Sequence, residues 1–377
     1  MKVKLAALSI VAAAMIGQNA FADINVGVIL PLTGPASTLG IPAKKALDLW
    51  PKSIAGQKLN VIVLDDASDP TNGTKNARRL TSEDKVDVIV GSVATPPALA
   101  IAEVANETKT PQLSLSPVPL ADGKDAWTFR LPQSNGVMGY AIVEHMKKQK
   151  VKTVGFLGYT DTYGESWLQE FTKIATKAGI KIVATERFDR KDTSVTGQAL
   201  KITAATPDAI LIVASGGGAA MPQKEIVARG FKGKIYQTHA AASRDFLKLA
   251  EKDAEGAYVV SGPCNVPEQL NDKNPSKAIS AGFVQHFEAA NGPGSRNQFA
   301  GHAFDASVVL EKVLPAALKK AKPGTPEFRD AIRTSLETMG KTSLCHGTLS
   351  YTAKDHWGYT NDTGVILKVV NGDWKVE

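Results

Sequence analysis

Residues that carry chemistry are scarce in this chain. Of 377 residues only two are cysteines and six are histidines. The histidines never fall at the spacing of a metal-ligand set, which argues against a zinc site. The patterns GxSxG, GxGxxG, the phosphate loop and HExxH are missing. Ser215-Gly216-Gly217-Gly218 comes nearest, but it lacks the spacing of a dinucleotide loop and reads as a tight turn between a strand and a helix. No nucleophile is placed beside a base, so no catalysis and no cofactor are expected. Basic residues are dispersed, with no arginine-rich arm and no basic run interleaved with aromatics. A net charge of +7 therefore does not indicate nucleic acid and supports only a mild preference for anionic ligands.

Long apolar runs are also few. Lys2 and Lys4 precede an apolar stretch from Leu5 to Ile16 broken only by Ser9, and Ala20-Phe21-Ala22 supplies small residues where a signal peptidase reads. This predicts a secretory signal over residues 1–22, because the stretch is shorter than the ~20 residues that span a bilayer. No cysteine stands near the cleavage site, which argues against a lipoprotein, and the expected location is the periplasm. In that oxidising compartment Cys264 and Cys345 are free either to pair or to remain thiols, and spacing alone leaves both open.

The length suits two domains. Apolar, β-branched runs at Ile24 to Leu30, Leu59 to Leu64, Val86 to Val90, Gln112 to Leu115, Thr153 to Leu157, Lys181 to Thr185, Ala209 to Val213 and Lys234 to Tyr236 alternate with helical patterns. That rhythm runs twice, breaking near Phe129 to Pro132, and predicts an α/β fold of two doubly wound domains. From Pro275 the chain turns mostly helical and closes with short strands. The acidic cluster Asp65-Asp66-Ala67-Ser68-Asp69-Pro70 lacks the spacing of a calcium loop and reads as a helix cap.

Open α/β sheets bind ligands beyond the carboxyl ends of their strands. The segments there are Pro31 to Gly40, Gly91 to Thr95, Ser114 to Val118, Gly158 to Tyr163, Ser215 to Gly218 and Gln237 to Ala240, all rich in small and hydroxylated residues. Among them GSVATPPA (91–98) leaves backbone amides and the Thr95 hydroxyl open to a small anion. Pro96 and Pro97 suit a first helical turn but remove two N–H groups, so the hydroxyl carries more of the burden.

Several stretches resemble one family: VGVILPLTGPASTLG (26–40), LDDASDPTNGTKNARRL (64–80), VDVIVGSVATPPALA (86–100), FRLPQSN (129–135), VGFLGYTDTYGESW (154–167) and PDAILIVASGGGAA (207–220). They are similar to the periplasmic substrate-binding proteins of branched-chain-amino-acid-type ABC importers, over essentially the whole mature chain. The resemblance implies a type I periplasmic binding fold, with two lobes joined by a three-crossover hinge. Lobe I would comprise residues 23–132 and 264–346, lobe II residues 133–263 and 347–377. The crossovers would lie near Phe129 to Asn135, Val259 to Pro263 and Gly347 to Asp355, which puts both cysteines near the hinge and favours their pairing. Implied partners are a small carboxylate ligand, an inner-membrane permease and its ATPase subunits, with a monomer as the default state.

By the same resemblance the ligand carboxylate would meet Ser92, Ala94 and Thr95 of one loop and Ser114 and Ser116 of the next, with Tyr163 against the ligand. Three places depart from the amino-acid binders. His239 stands where an acidic residue would pair the ligand ammonium, Val118 where a threonine is expected, and Gly218 and Leu39 where aromatics are expected. An ammonium would lose its counter-charge, at a cost of several kcal/mol when buried. PQLSLSPV (111–118) and AYVVSGPCNVPEQL (257–270) also look similar to the aromatic-acid branch. The implied ligand is a benzoate or hydroxybenzoate, with an apolar amino acid, or a sensing role for the same fold, as alternatives.

Overall fold

The computed structural model describes residues 23–121 and 123–377, so the expected secretory signal over residues 1–22 lies outside the described residues. The first series runs β1 (Ile24–Leu30), α1 (Ser37–Ala46), β2 (Ser53–Ile54), β3 (Gln57–Asp65), α2 (Pro70–Ser82), β4 (Val88–Gly91), α3 (Thr95–Thr108), β5 (Gln112–Ser114) and β6 (Thr128–Arg130). After α4 (Asn135–Lys148) come β7 (Thr153–Tyr159), α5 (Thr162–Lys177), β8 (Lys181–Phe188), α6 (Thr196–Ala204), β9 (Ala209–Val213), α7 (Ala220–Ala228), β10 (Lys234–Gln237), α8 (Arg244–Ala250) and β11 (Tyr258–Ser261). The last part holds α9 (Lys277–Asn291), α10 (Gln298–Leu318), α11 (Pro326–Glu337), β12 (Thr342–Leu344), β13 (Gly347–Leu349), β14 (Val365–Val370) and β15 (Asp373–Val376).

Two sheets result. The first has the order β2-β3-β1-β4-β5-β6 and is parallel except where β2 meets β3. In the second, β15-β14-β11-β10-β9-β7-β8, the strands from β11 to β8 are parallel and β14 and β15 add an antiparallel edge. The strands β1 and β9 carry almost no polar residues because helices cover both of their faces. Side-chain caps mark the starts of α2, α4, α5, α8, α10 and α11. Asp69 accepts hydrogen bonds from Thr71 N and Asn72 N ahead of Pro70, which is the capping role expected of the acidic cluster.

Helices α10 and α11 return to the first sheet. Trp50 Nε1 donates to Ala303 O at 2.9 Å, and Gly324 N to Asp87 Oδ1 at 2.7 Å. The three passages between the sheets meet at one point. Gln133 Nε2, just after β6, donates to His346 O at 2.6 Å. A Cβ on Gly262, just after β11, would lie 2.9 Å from His346 Cδ2 and 3.0 Å from Gln133 Nε2. There Cys264 and Cys345 form a disulfide, with their Cα atoms 4.7 Å apart, which resolves the pairing that the sequence leaves open.

The last passage is later than the expected Gly347 to Asp355. Tyr351 Oη donates to Arg130 O at 2.6 Å and Arg130 N to His356 O at 3.0 Å, so the chain stays beside β6 to His356 and joins the second sheet only at Val365. Two doubly wound α/β sheets, as the strand and helix rhythm predicts, are joined by three passages in the type I periplasmic binding fold that the resemblance implies.

Candidate ligand-binding site

The parallel strands of both sheets point their carboxyl ends at one cleft. In the first sheet β4 ends at Gly91, whose φ of +120° favours glycine and whose Cβ, if present, would collide with the Ile29 carbonyl. Gln112 Nε2 braces the turn from β5 by donating to Gly91 O at 2.8 Å and Ala98 O at 3.1 Å. Helix α3 then starts at Thr95 with Pro96 and Pro97 in its first turn, and its N-cap, Ala94, offers no side-chain bond. The first N–H of a helix has no partner within the helix, and the prolines have none to give, so the open donors at this end are the Thr95 amide and hydroxyl. Thr95 Oγ1 lies 2.6 Å from Ser116 Oγ, both buried, at the ends of the adjacent strands β4 and β5.

The second sheet supplies the facing wall. After β7, Asp161 caps α5 through Tyr163 N and Gly164 N at 2.9 and 3.2 Å and forms an ion pair with Arg190. Tyr163 Oη and Thr238 Oγ1 share a hydrogen bond of 2.7 Å, and burial pushes the phenol's pKa up, so it stays protonated. Arg190, two residues beyond β8, reaches Ser215 Oγ through Nη1 at 2.9 Å and lays its guanidinium over the Tyr159 ring at 4.1 Å. After β10, His239 is 3% exposed, and burial drives its pKa down to about 3. It is a neutral imidazole at neutral pH.

The two walls touch at Gly216, whose φ is +50° and where a Cβ would lie 2.8 Å from Thr38 Oγ1 and 3.1 Å from Leu39 Cδ1. Helix α10 closes the end with Phe299 and His302. The walls stand close together, and the cavity left between them is about 20 Å³, so the cleft is nearly shut in this form.

Of the residues singled out in the sequence, Leu39, Ala94, Thr95, Ser116, Tyr163 and His239 line this cleft together. Four others do not. Ser92 is fully buried, and its Oγ accepts from Ala94 N at 3.3 Å. Ser114 Oγ donates to Ser116 O at 2.8 Å and accepts from Ser116 N, shaping the turn instead of facing the cleft. Val118 packs against Ala98 and Ala102 behind the loop. Gly218 is exposed, and it lacks a side chain because any Cβ would collide with the Tyr159 hydroxyl; Ser215 is the cleft residue of that loop.

Arg190, Phe299 and His302 are cleft residues that the sequence reading misses. Arg190 had a usable signal, since it follows a parallel strand just as Thr95, Tyr163 and His239 do. Phe299 and His302 had none, because they lie on a helix far along the chain.

A model of the family described as periplasmic binding protein matches residues 23–372. A Leu/Ile/Val-binding protein homologue from Brucella melitensis is 24% identical over 361 residues, covering 91% of each chain. Among solved structures, an extracellular ligand-binding receptor from Rhodopseudomonas palustris HaA2 is 47% identical with a TM-score of 0.92, covering 94% of this chain and all of that one. A solute-binding protein of an ABC transporter from R. palustris, solved with benzoate, shares the fold at 21% identity and a TM-score of 0.79, covering 94% of this chain and 95% of its own. With the cleft at the strand ends of both sheets and a family match over nearly its whole length, this chain belongs to the periplasmic binding protein family.

Proposed function

We propose that this protein is the solute-capturing component of an ABC importer, that it works in the periplasm after loss of residues 1–22, and that its ligand is a small aromatic carboxylate. One observation carries the choice of ligand. Among the described residues lining the cleft there is one arginine and no aspartate or glutamate. Asp161, just behind, is committed to Arg190. Such a site meets an anion with the hydrogen-bond donors of Arg190, Thr95 and Ser116 and offers no free counter-charge to an ammonium, whose burial unpaired would cost several kcal/mol.

In this reading Thr95, Ser116 and Arg190 provide the polar contacts to the carboxylate, while Leu39, Tyr163 and Phe299 pack against the ring. The lobes are residues 23–132 with 264–356 and residues 133–263 with 365–377, and they hinge where Gln133, Gly262 and His346 meet. A ligand that touches both walls stabilises the closed form by its differential affinity for it, and the closed monomer docks on the permease and its ATPase subunits. The ligand is released unchanged, and no cofactor takes part.

The names of the Leu/Ile/Val-binding relatives favour a second reading, an apolar amino acid, which would require a carboxylate that the cleft lacks. The deciding test is a calorimetric titration of the mature chain, unfolded and refolded to strip carried-over ligand, with benzoate, 4-hydroxybenzoate and leucine. Binding of an aromatic acid alone is expected; binding of leucine alone would overturn the aromatic assignment and leave the importer role standing.

A further inference from the structure

Three buried histidines meet at the α10 end of the cleft. The ring of His302 stacks on that of His346 with centroids 3.7 Å apart and planes 21° from parallel. His346 Nδ1 is held by Asp305 Oδ2 at 2.8 Å, and the same carboxylate accepts Cys345 N at 2.8 Å and His346 N at 3.2 Å. His239 and His302 both line the cleft, at 3% and 1% exposure, yet neither ring makes a hydrogen bond among the described residues. Nδ1 of each is buried with no partner. Two such rings lining one cleft are costly unless something enters it to meet them.

Their chemistry narrows what that something is. Burial lowers the pKa of both rings, and charge on His346 disfavours charge on either, so both are neutral. A neutral imidazole offers one N–H and one lone pair. Either ring nitrogen can carry that proton, so the two rings suit a donor, an acceptor or a group that is both. In the aromatic-acid reading the carboxylate is already held by Thr95, Ser116 and Arg190 and an ammonium has no counter-charge, so the group left to meet the rings is a neutral substituent, and a hydroxyl can both donate to a ring lone pair and accept a ring N–H. A cation is the remaining candidate for clustered histidines beside a carboxylate. One ligand atom each of His302, Asp305 and His346 lies within 4.8 Å of the others, but the two rings are stacked with planes 21° from parallel, so lone pairs lying in those planes do not meet at one ion, and Asp305 already accepts three N–H groups.

We propose that His239 and His302 together read an un-ionised hydroxyl on the ligand's ring, so that the preferred ligand is a hydroxylated aromatic acid. This rests on the aromatic-acid reading of the same cleft and narrows it. Asp305 and His346 act as positioning residues, with the stack fixing the plane of His302.

The test is a ligand-by-variant cycle on the mature chain. Benzoate, its 2-, 3- and 4-hydroxy derivatives, and the same set with one or two carbons between ring and carboxylate are titrated into the wild type, His239→Phe and His302→Phe. One hydroxylated acid is expected to bind roughly tenfold or more tighter than its hydroxyl-free parent. Either Phe variant should bring that ratio near one while still binding the parent, and His302→Gln, which keeps a donor and an acceptor, should restore part of it. If no hydroxylated acid outbinds its parent in the wild type, or if the preference survives both Phe variants, the inference is overturned and the aromatic-acid reading stands. Binding of leucine and of none of these acids overturns that reading instead, and the inference with it.

Discussion

The hydroxyls of Thr95 and Ser116 lie 2.6 Å apart at the ends of two adjacent parallel strands, buried but on the wall of the cleft. In such a pair one hydroxyl donates to the other, which leaves the second proton free for an acceptor in the cleft. Thr95→Ala is therefore expected to weaken carboxylate binding by about 1.5–3 kcal/mol, the range of a hydrogen bond to a charged group. Thr95→Ser should retain most of the affinity. Calorimetry decides it, and an alanine variant that binds like the wild type would remove Thr95 from the site.

Arg190 is the one cation among the described cleft residues. Arg190→Gln should cost carboxylate ligands about 1.5–3 kcal/mol, or roughly ten- to hundredfold in Kd. Asp161 would still cap α5 through Tyr163 N and Gly164 N but would lose its ion-pair partner, so the thermal unfolding midpoint should also fall, and affinity is compared at a temperature where the variant is fully folded. Unchanged affinity would confine Arg190 to bracing Ser215 and Tyr159.

Acid should destabilise the protein through its buried histidines. The folded pKa of His239 is depressed from 6.5 to about 3, so the unfolded chain binds the extra proton between those values. Stability from this group is complete above pH 6.5 and is lost as pH falls towards 3, by about 2 kcal/mol at pH 5. Asp66 and Asp87, both raised to about 6 by burial, act in the opposite sense, since their contribution is fully present below 3.8 and lost as pH rises through 6. The difference in unfolding free energy between wild type and His239→Phe across pH 4 to 8 isolates the histidine. A pH-independent difference would show that His239 is not held neutral by burial.

Two glycines with positive φ should respond differently to a methyl group. Gly91 at +120° abuts the Ile29 carbonyl, whereas Gly179 at +73° has open space around the same position. Gly179→Ala should cost about 1 kcal/mol in urea unfolding, the penalty of a left-handed backbone alone. Gly91→Ala should cost more than about 3 kcal/mol, because strain and collision add. Equal costs would mean that β1 yields easily at Ile29.

The sequence reads most clearly where burial is total. The runs Ile24 to Leu30 and Ala209 to Val213 become strands with those same bounds, since a strand covered on both faces must be continuously apolar. Thr95, Ser116, Tyr163 and His239 are found because they follow such strands. β8 obscures Arg190. It is an edge strand whose burial alternates, it runs three residues past the expected Thr185 to Phe188, and Asp189-Arg190-Lys191-Asp192 then looks like a solvated charge run. Position in a loop also says nothing about which way a side chain turns, which is why Ser92, Ser114 and Val118 were singled out although they face the interior. His302 is out of reach of any local pattern, since what matters is where α10 docks.

The disulfide has a topological effect as well. Cys264 lies just beyond β11 and Cys345 just before β13, so the chain between them, including α9, α10 and α11, leaves and returns through a single covalent doorway. That segment is a closed ring sewn to the hinge. A protease that cuts once within it opens the ring, but the disulfide keeps both pieces at the hinge, and the wall carrying Phe299 and His302 stays tethered from one end.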